Sequence, residues 1–265
     1  MRALSLEYHD VVDGSDFDSS GFAGAGPASY KLTRADFNRH LDAIAGVVTR
    51  PPFRAVDWLT ETRSARPLFL TFDDGGLGAS VCIAESLERR GWRGHFLVTA
   101  QRIGSPTFLS AAQIRELHAA GHVIGTHSYS HPTRMGACSA GQILDEWRRS
   151  TGILADILGA PVVVGSVPGG YYKRPVAEAA ALVGLRLLFT SAPTTKCWMV
   201  DGCRVAGRYT LRRWSPASAA AALAAGHLGP RASQWLLFNS LNLARTIAGD
   251  QYTRVRERFW AARVS

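Results

Sequence analysis

The chain has 265 residues, 30 Lys and Arg against 21 Asp and Glu, and a formal charge of +9. With 46% hydrophobic and 19% charged residues it has the composition of a globular protein and not of a disordered one. No run approaches the ~18 uninterrupted apolar residues of a membrane span. The start, MRALSLEYHD, has no apolar core, so no secretory signal is expected. Cys82, Cys138, Cys197 and Cys203 are accordingly expected to be reduced, with Cys82 in the core.

In chain order, LSLEY (4–8) reads as a short strand, followed by a Gly-, Ser- and Asp-rich loop over roughly 10–29. Thr33 can cap a helix whose Phe37, Leu41 and Ile44 share one face, and Pro51 and Pro52 close that unit. PLFLTF (67–72) is a buried-strand pattern, then comes the turn DDGG and a helix around 79–90. HFLVT (95–99) is a strand, Ser110 opens a helix that stops before Gly121, and HVIGT (122–126) is the next strand. Ser139 caps a helix over 140–158, with Gly159 and Pro161 as stop signals. VVVGS (162–166), a helix over 174–183 and LRLLFT (185–190) complete the alternation.

Strands separated by helices every 25–30 residues or so imply right-handed βαβ units and a parallel sheet, open or closed into a barrel. CRVAGRYTL offers a further strand, and Ser215 and Pro216 start an Ala-rich helix ending near Gly226. QWLLFNSLNLARTI (234–247) reads either as a strand then a helix or, the preferred reading, as one helix closed by Gly249, and 251–263 as a last helix, with Tyr252, Val255 and Phe259 on one side and Arg254, Arg256, Arg258 and Arg263 filling much of the rest.

The charge is uneven. Residues 1–203 carry 20 basic against 19 acidic residues, whereas residues 204–265 carry 10 Arg against only Asp250 and Glu257. A basic end of this kind calls for an anionic partner. It holds no nucleic-acid recognition motif and no interleaved stacking platform, so no nucleic acid is expected. Its amphipathic last helix suits an anionic membrane surface instead.

Two clusters carry chemistry. Thr71-Phe72-Asp73-Asp74-Gly75 puts two carboxylates at the C-terminal end of an apolar strand, where α/β folds gather functional groups. His127-Ser128-Tyr129-Ser130-His131 follows the strand HVIGT, and if it turns helically both imidazoles lie on one face. Asp74, His127 and His131 then form a three-ligand set with one position open for water, the make-up of a catalytic zinc-type site. Asp73 is left free as a general base.

TFDDG followed about fifty residues later by GHVIGTHSYSHP resembles the polysaccharide deacetylase family, the NodB-homology group, over roughly residues 67–190. The resemblance implies a distorted (β/α) barrel of that type, here one domain over 1–265 with a helical, basic end from about 215. It implies a metal-dependent hydrolase that removes N-acetyl groups from hexosamine saccharides or glycolipids. Asp73 would be the base, and Asp74, His127 and His131 would hold a divalent metal, zinc first among candidates. An amidase acting on a non-sugar amide and a catalytically inactive carbohydrate-binding member are the alternatives.

The later family motifs fit less well. Ser166 stands where an Arg is usual, ahead of Pro168, Gly169, Gly170 and Tyr171, which are candidates to line the substrate groove. A further Arg usually orients the catalytic carboxylate; Arg208 is the first candidate and Arg204 the second. The usual acid is a histidine near the end of the domain, after a short apolar strand; if WLLF were that strand the equivalent position would be Asn239, if 234–247 is a helix the motif is absent, and His227 is merely nearby. His9, after the strand LSLEY and beside an Asp10 that could orient it, is the better-placed acid. His95, His118 and His122 are expected to be structural. The setting expected is cytoplasmic, at the inner face of the membrane.

Overall fold

A computed structural model describes residues 1–60 and 66–242. The strands are β1 (Leu4–Tyr8), β2 (Val11–Val12), β3 (Leu32–Thr33), β4 (Leu68–Phe72), β5 (His95–Val98), β6 (Val123–Thr126), β7 (Val164–Ser166), β8 (Leu187–Phe189), β9 (Cys197–Val200), β10 (Cys203–Ala206) and β11 (Tyr209–Thr210). Nine of them form one curled sheet in the order β11-β1-β4-β5-β6-β7-β8-β10-β9. Every pairing is parallel except β10 with β9. The end strands β11 and β9 do not pair, so the barrel stays open along one seam.

Crossover helices come from the expected segments. Thr33 accepts a hydrogen bond from the Asp36 N–H and starts Arg34–Ala45. Ser110 with Gln113, and Ser139 with Gln142, form full capping boxes at the heads of Ala111–Ala119 and Ala140–Leu158. Gly159, at φ 66°, ends the second of these in the left-handed conformation that glycine takes without steric cost. Arg174–Leu182 crosses from β7 to β8.

Three local features differ from expectation. The segment after the DDGG turn enters as a π-helix (Ala79–Ala84) before an α-turn (Glu85–Glu88). Its head is pinned by tertiary contacts: the Gly78 N–H donates to Ser20 Oγ, and a Cβ at Gly78 would lie 2.1 Å from the Val11 carbonyl oxygen. A short helix, Ala55–Thr60, follows Pro51 and Pro52 and places Trp58 in the core. The antiparallel hairpin β9–β10 turns on Asp201-Gly202, both at positive φ, the conformation that a two-residue hairpin loop needs. Cys197 and Cys203 sit at its two ends as free thiols.

Strand alternation sets up the site. Leu4, Leu6 and Tyr8 pack in the layer between sheet and helices. Ser5, Glu7 and His9 therefore face the other side. Phe69, Leu97, Val164, Leu187, Phe189 and Trp58 form a second cluster that plugs the barrel interior. Thr71 and Asp73 share the Phe69 face and rise above that plug.

A helix over 228–242 lies beyond the alanine-rich helix Ala217–Ala224. The Gln234 amide bonds both the N–H and the carbonyl of Thr210, satisfying the edge of β11. Arg231 links Tyr209 to Thr195, across the seam. The helix read at 251–263 and the end of the one read at 234–247 lie outside the described residues.

Candidate active site

Asp73 ends the β4 segment, its N–H donating to the Tyr8 carbonyl. Asp74 takes φ 77°, a left-handed turn that swings its carboxylate back toward the strand axis. Both side chains then point into the barrel mouth, as the strand-end position predicts. The HSYSH segment is not helical. Ser128 (φ 66°) and His131 (φ 63°) are left-handed instead, and these two backbone reversals bring the imidazoles together. The His131 N–H donates to Ser128 Oγ, and Glu146 accepts from the Tyr129 and Ser130 N–H groups, which holds the loop. Non-glycine left-handed residues cost roughly 1–3 kcal/mol each and persist where surroundings over-determine them.

His127 Nε2 lies 3.6 Å and His131 Nε2 3.5 Å from Asp74 Oδ1. That oxygen is buried and has no hydrogen-bond partner among the described residues. Ligand atoms at ~2.0–2.2 Å from one ion, in tetrahedral array, stand roughly 3.3–3.6 Å apart. An unsatisfied buried carboxylate oxygen is costly unless a cation completes it. The three residues thus fit a divalent metal, and ligand atoms of all three lie within 4.8 Å of one another. Burial pushes the Asp74 carboxyl up to about 6 and the His127 imidazole down to about 3. A neutral imidazole is the form that ligates.

Ser166, where the family motif has Arg, explains which nitrogen of His127 faces the cluster. Its hydroxyl donates to Asp73 Oδ1 at 3.2 Å, so it must accept from His127 Nδ1, 2.5 Å away. The Ser166 carbonyl accepts there too, at 3.2 Å. The proton is assigned to Nδ1 by this network, leaving the Nε2 lone pair toward Asp74.

Arg208 is fully buried and grips both oxygens of Asp73, Nη1 to Oδ1 and Nη2 to Oδ2, each at 2.7 Å. Its remaining partners are Thr71 Oγ1 (3.2 Å), Glu7 Oε1 (2.8 Å) and the Thr190 carbonyl. Burial alone would raise the Asp73 carboxyl; the charge of Arg208 and its two hydrogen bonds outweigh it and hold the group well below the usual carboxylate range. Arg204 is not at the site: its guanidinium stacks 4.1 Å over the Trp58 ring.

His9 reaches the same mouth, with a ring nitrogen in a group with Glu7 and Asp73 spanning at most 4.8 Å. Its Nδ1 is buried, with no hydrogen-bond partner among the described residues. Asp10 does not orient it. The Asp10 carboxylate accepts from the Val11 N–H and Ser20 Oγ instead, and His9 packs on Tyr30, ring centroids 4.4 Å apart. Asn239 is exposed and bonds its own helix at Trp235, and His227 is exposed. His95 Nδ1 donates to the Leu70 carbonyl while Nε2 accepts from the Ala55 N–H, and His122 pairs with Glu88, both structural as read.

Pro168–Gly170 form a single 3-10 turn after β7, on the same rim. A Cβ at Gly169 would lie 2.4 Å from the Thr133 carbonyl oxygen, so this glycine serves the packing of the turn against the HSYSH loop. The Tyr171 carbonyl accepts from the Gly136 N–H, with the Arg134 guanidinium 5.6 Å from its ring. On the other side Phe22 covers His131 at 5.0 Å, with Arg102 over Phe22. Sequence reasoning passed over Glu7, Phe22 and Tyr30. Only the parity of Glu7 with His9 along β1 signalled any of them.

A curled, mostly parallel half-barrel with an Asp-His-His cluster and an arginine-held Asp on its rim defines the class. Residues 60–188 match the family described as Polysaccharide deacetylase. The resemblance to that family therefore holds, and its members are carbohydrate-active hydrolases dependent on a divalent metal. A chitin deacetylase from Arthroderma benhamiae is 32% identical over 106 residues, 40% of this chain; the match spans 26% of that protein, about a quarter of its length. Among solved structures, IcaB from Ammonifex degensii shares the fold at TM-score 0.68 and 22% identity, covering 84% of this chain and 97% of its own. The Streptococcus pyogenes deacetylase PplD, solved with acetate, does so at TM-score 0.66 and 16% identity, covering 82% and 95%.

Proposed function

We propose that the chain is a metal-dependent N-deacetylase of an N-acetylhexosamine unit in a saccharide or glycolipid. The observation that carries this reading is the convergence of Asp74 Oδ1, His127 Nε2 and His131 Nε2 beside an Asp73 gripped by Arg208. Asp74, His127 and His131 hold the ion, with zinc the first candidate. A divalent ion so held supplies Lewis-acid activation of water and of the scissile carbonyl. Asp73, kept ionised by Arg208, takes a proton from the attacking water. The acetyl C–N bond breaks, His9 delivers a proton to the departing nitrogen, and acetate and a free amine leave. Backbone N–H groups of the rim and the turn Pro168, Gly169, Gly170 and Tyr171 line the acetyl group. Phe22 keeps water from the His131 side.

The test is metal content and acetate release together. The full chain should hold one divalent ion, lost in Asp74→Ala or His131→Ala, and should release acetate from N-acetylhexosamine oligomers. Bound metal with no acetate from any sugar amide, but turnover of simple amides, would replace the sugar by another amide. Metal and sugar binding without turnover of either would leave a binding protein.

The reading includes a cytoplasmic setting against an anionic membrane surface. Its support is the helix over 228–242, which leaves Leu228, Trp235, Leu236 and Leu237 at 76, 54, 59 and 53% exposure, within the basic last quarter of the chain. Scattered exposed apolar residues are ordinary, but Leu228 and Trp235 lie two turns apart on one face with Leu236 beside them, and such a stripe suits a membrane surface. Co-sedimentation with anionic vesicles at low salt tests it, and absence of binding removes it.

A further inference from the structure

Glu7 has no part in the reaction as written, yet it lies at the centre of the site. It is 3% exposed. Its carboxylate accepts from Arg208 Nη2 at 2.8 Å, from Thr210 Oγ1 at 2.5 Å and from Ser191 Oγ at 3.0 Å. Oxygens of Glu7 and Asp73 approach a His9 nitrogen within 4.8 Å, but the guanidinium of Arg208 already fills the place of a cation between the two carboxylates.

Buried charges must be compensated, and the sum here is informative. The neighbouring pair Asp10 and Lys31 cancels; the Lys31 ammonium is tied to the carbonyls of Phe17, Ser20 and Phe22. Apart from a proton that His9 carries in turnover, the remaining buried charges among the described residues are Glu7, Asp73 and Asp74 against Arg208. That leaves two negative charges, the complement of one divalent ion. Without Glu7 the guanidinium would neutralise Asp73 alone, and only one negative charge would remain to attract the ion.

We propose that Glu7 is an electrostatic positioning residue: its charge offsets Arg208, so that the guanidinium can hold Asp73 without weakening the hold of the Asp74, His127 and His131 cluster on a divalent cation. This rests on the metal reading of that cluster. Outer partners of a metal site typically change affinity 10–100-fold.

The experiment titrates the full chain with Zn²⁺ against a competing chelator. Glu7→Gln is near-isosteric and keeps an acceptor for Arg208 and Ser191; it should weaken Zn²⁺ binding 10–100-fold and, at saturating Zn²⁺, leave KM unchanged. Arg208→Met should do the reverse and tighten Zn²⁺ binding while losing turnover. The double variant E7Q/R208M should return toward the wild-type affinity. A structural role alone predicts weaker binding in all three. Unchanged binding in Glu7→Gln, or weaker binding in Arg208→Met, overturns the proposal. If Glu7→Gln does not fold, the direction of Arg208→Met decides by itself. Wild-type protein that binds no divalent ion would instead overturn the metal reading.

Discussion

Ser166→Ala removes one hydroxyl and nothing else. The hydroxyl makes two contacts, to Asp73 Oδ1 at 3.2 Å and to His127 Nδ1 at 2.5 Å. Asp73 loses little, because Arg208 still holds both its oxygens. His127 loses more: its Nδ1 proton keeps only the Ser166 carbonyl at 3.2 Å, and the ring is freer to turn its Nε2 away from Asp74. A hydrogen bond to a charged or ligating group is worth about 1.5–3 kcal/mol. Converted at about 1.4 kcal/mol per tenfold, that is roughly 10–100-fold in affinity, the range found for partners of metal-ligating histidines. We expect metal affinity to fall by that factor, with kcat at saturating metal reduced by less than about tenfold. Chelator competition followed by acetate-release kinetics on the reconstituted protein separates the two. Wild-type affinity in Ser166→Ala would refute the argument that this serine sets the tautomer and aim of His127.

Asp73→Asn should behave in the opposite way, binding metal as the wild type does but losing about 10²–10⁴-fold in kcat, the ordinary worth of a general base; comparable turnover would remove Asp73 from that role. His9→Gln should cost a similar factor, about 10²–10⁴, and the loss should shrink on substrates whose leaving amine is more acidic; an equal loss on both would argue against an acid at this position. Acid should destabilise the fold through His95, which burial lowers from 6.5 to about 4. The folded protein keeps it neutral while the unfolded chain takes up a proton, so no penalty exists above about pH 6.5. Stability then falls as pH drops from 6.5 toward 4, reaching ~3 kcal/mol at 1.36 kcal/mol per unit. Urea midpoints at pH 7 and pH 4 for wild type and His95→Asn read this out, because Asp74, raised to about 6, pulls the other way in both; parallel profiles would sink the assignment.

Much of the fold was legible because its signals are local. Ser110 and Ser139 announced helices by capping, and apolar runs announced β1, β4, β5 and β6. What escaped was also local but overlooked or outvoted. Asp201-Gly202 is the signature of the β9–β10 hairpin, and Pro51 and Pro52 drew attention away from the helix that seats Trp58. The HSYSH spacing singled out two imidazoles that do meet, for the wrong backbone reason. The pairing of its imidazoles comes from two left-handed residues, which no helical periodicity describes.

The sequence by itself picked out the Asp74, His127 and His131 cluster and the carboxylate beside it, because Asp73 and Asp74 are adjacent and His127 and His131 lie on one short loop. Such a set needs only that two strand ends share a rim. The tertiary structure decided everything that tunes it. Ser166 is 93 residues from Asp73, Arg208 is 135 from Asp73, and Arg208 is 201 from Glu7. A hydrogen-bond network across such separations leaves no spacing to read. It exists because a curled parallel sheet brings the inward faces of β1, β4 and β7, and the turn before β11, within 3 Å or so of each other. In that buried space charges cannot be left uncompensated, so Arg208 is shared between Asp73 and Glu7.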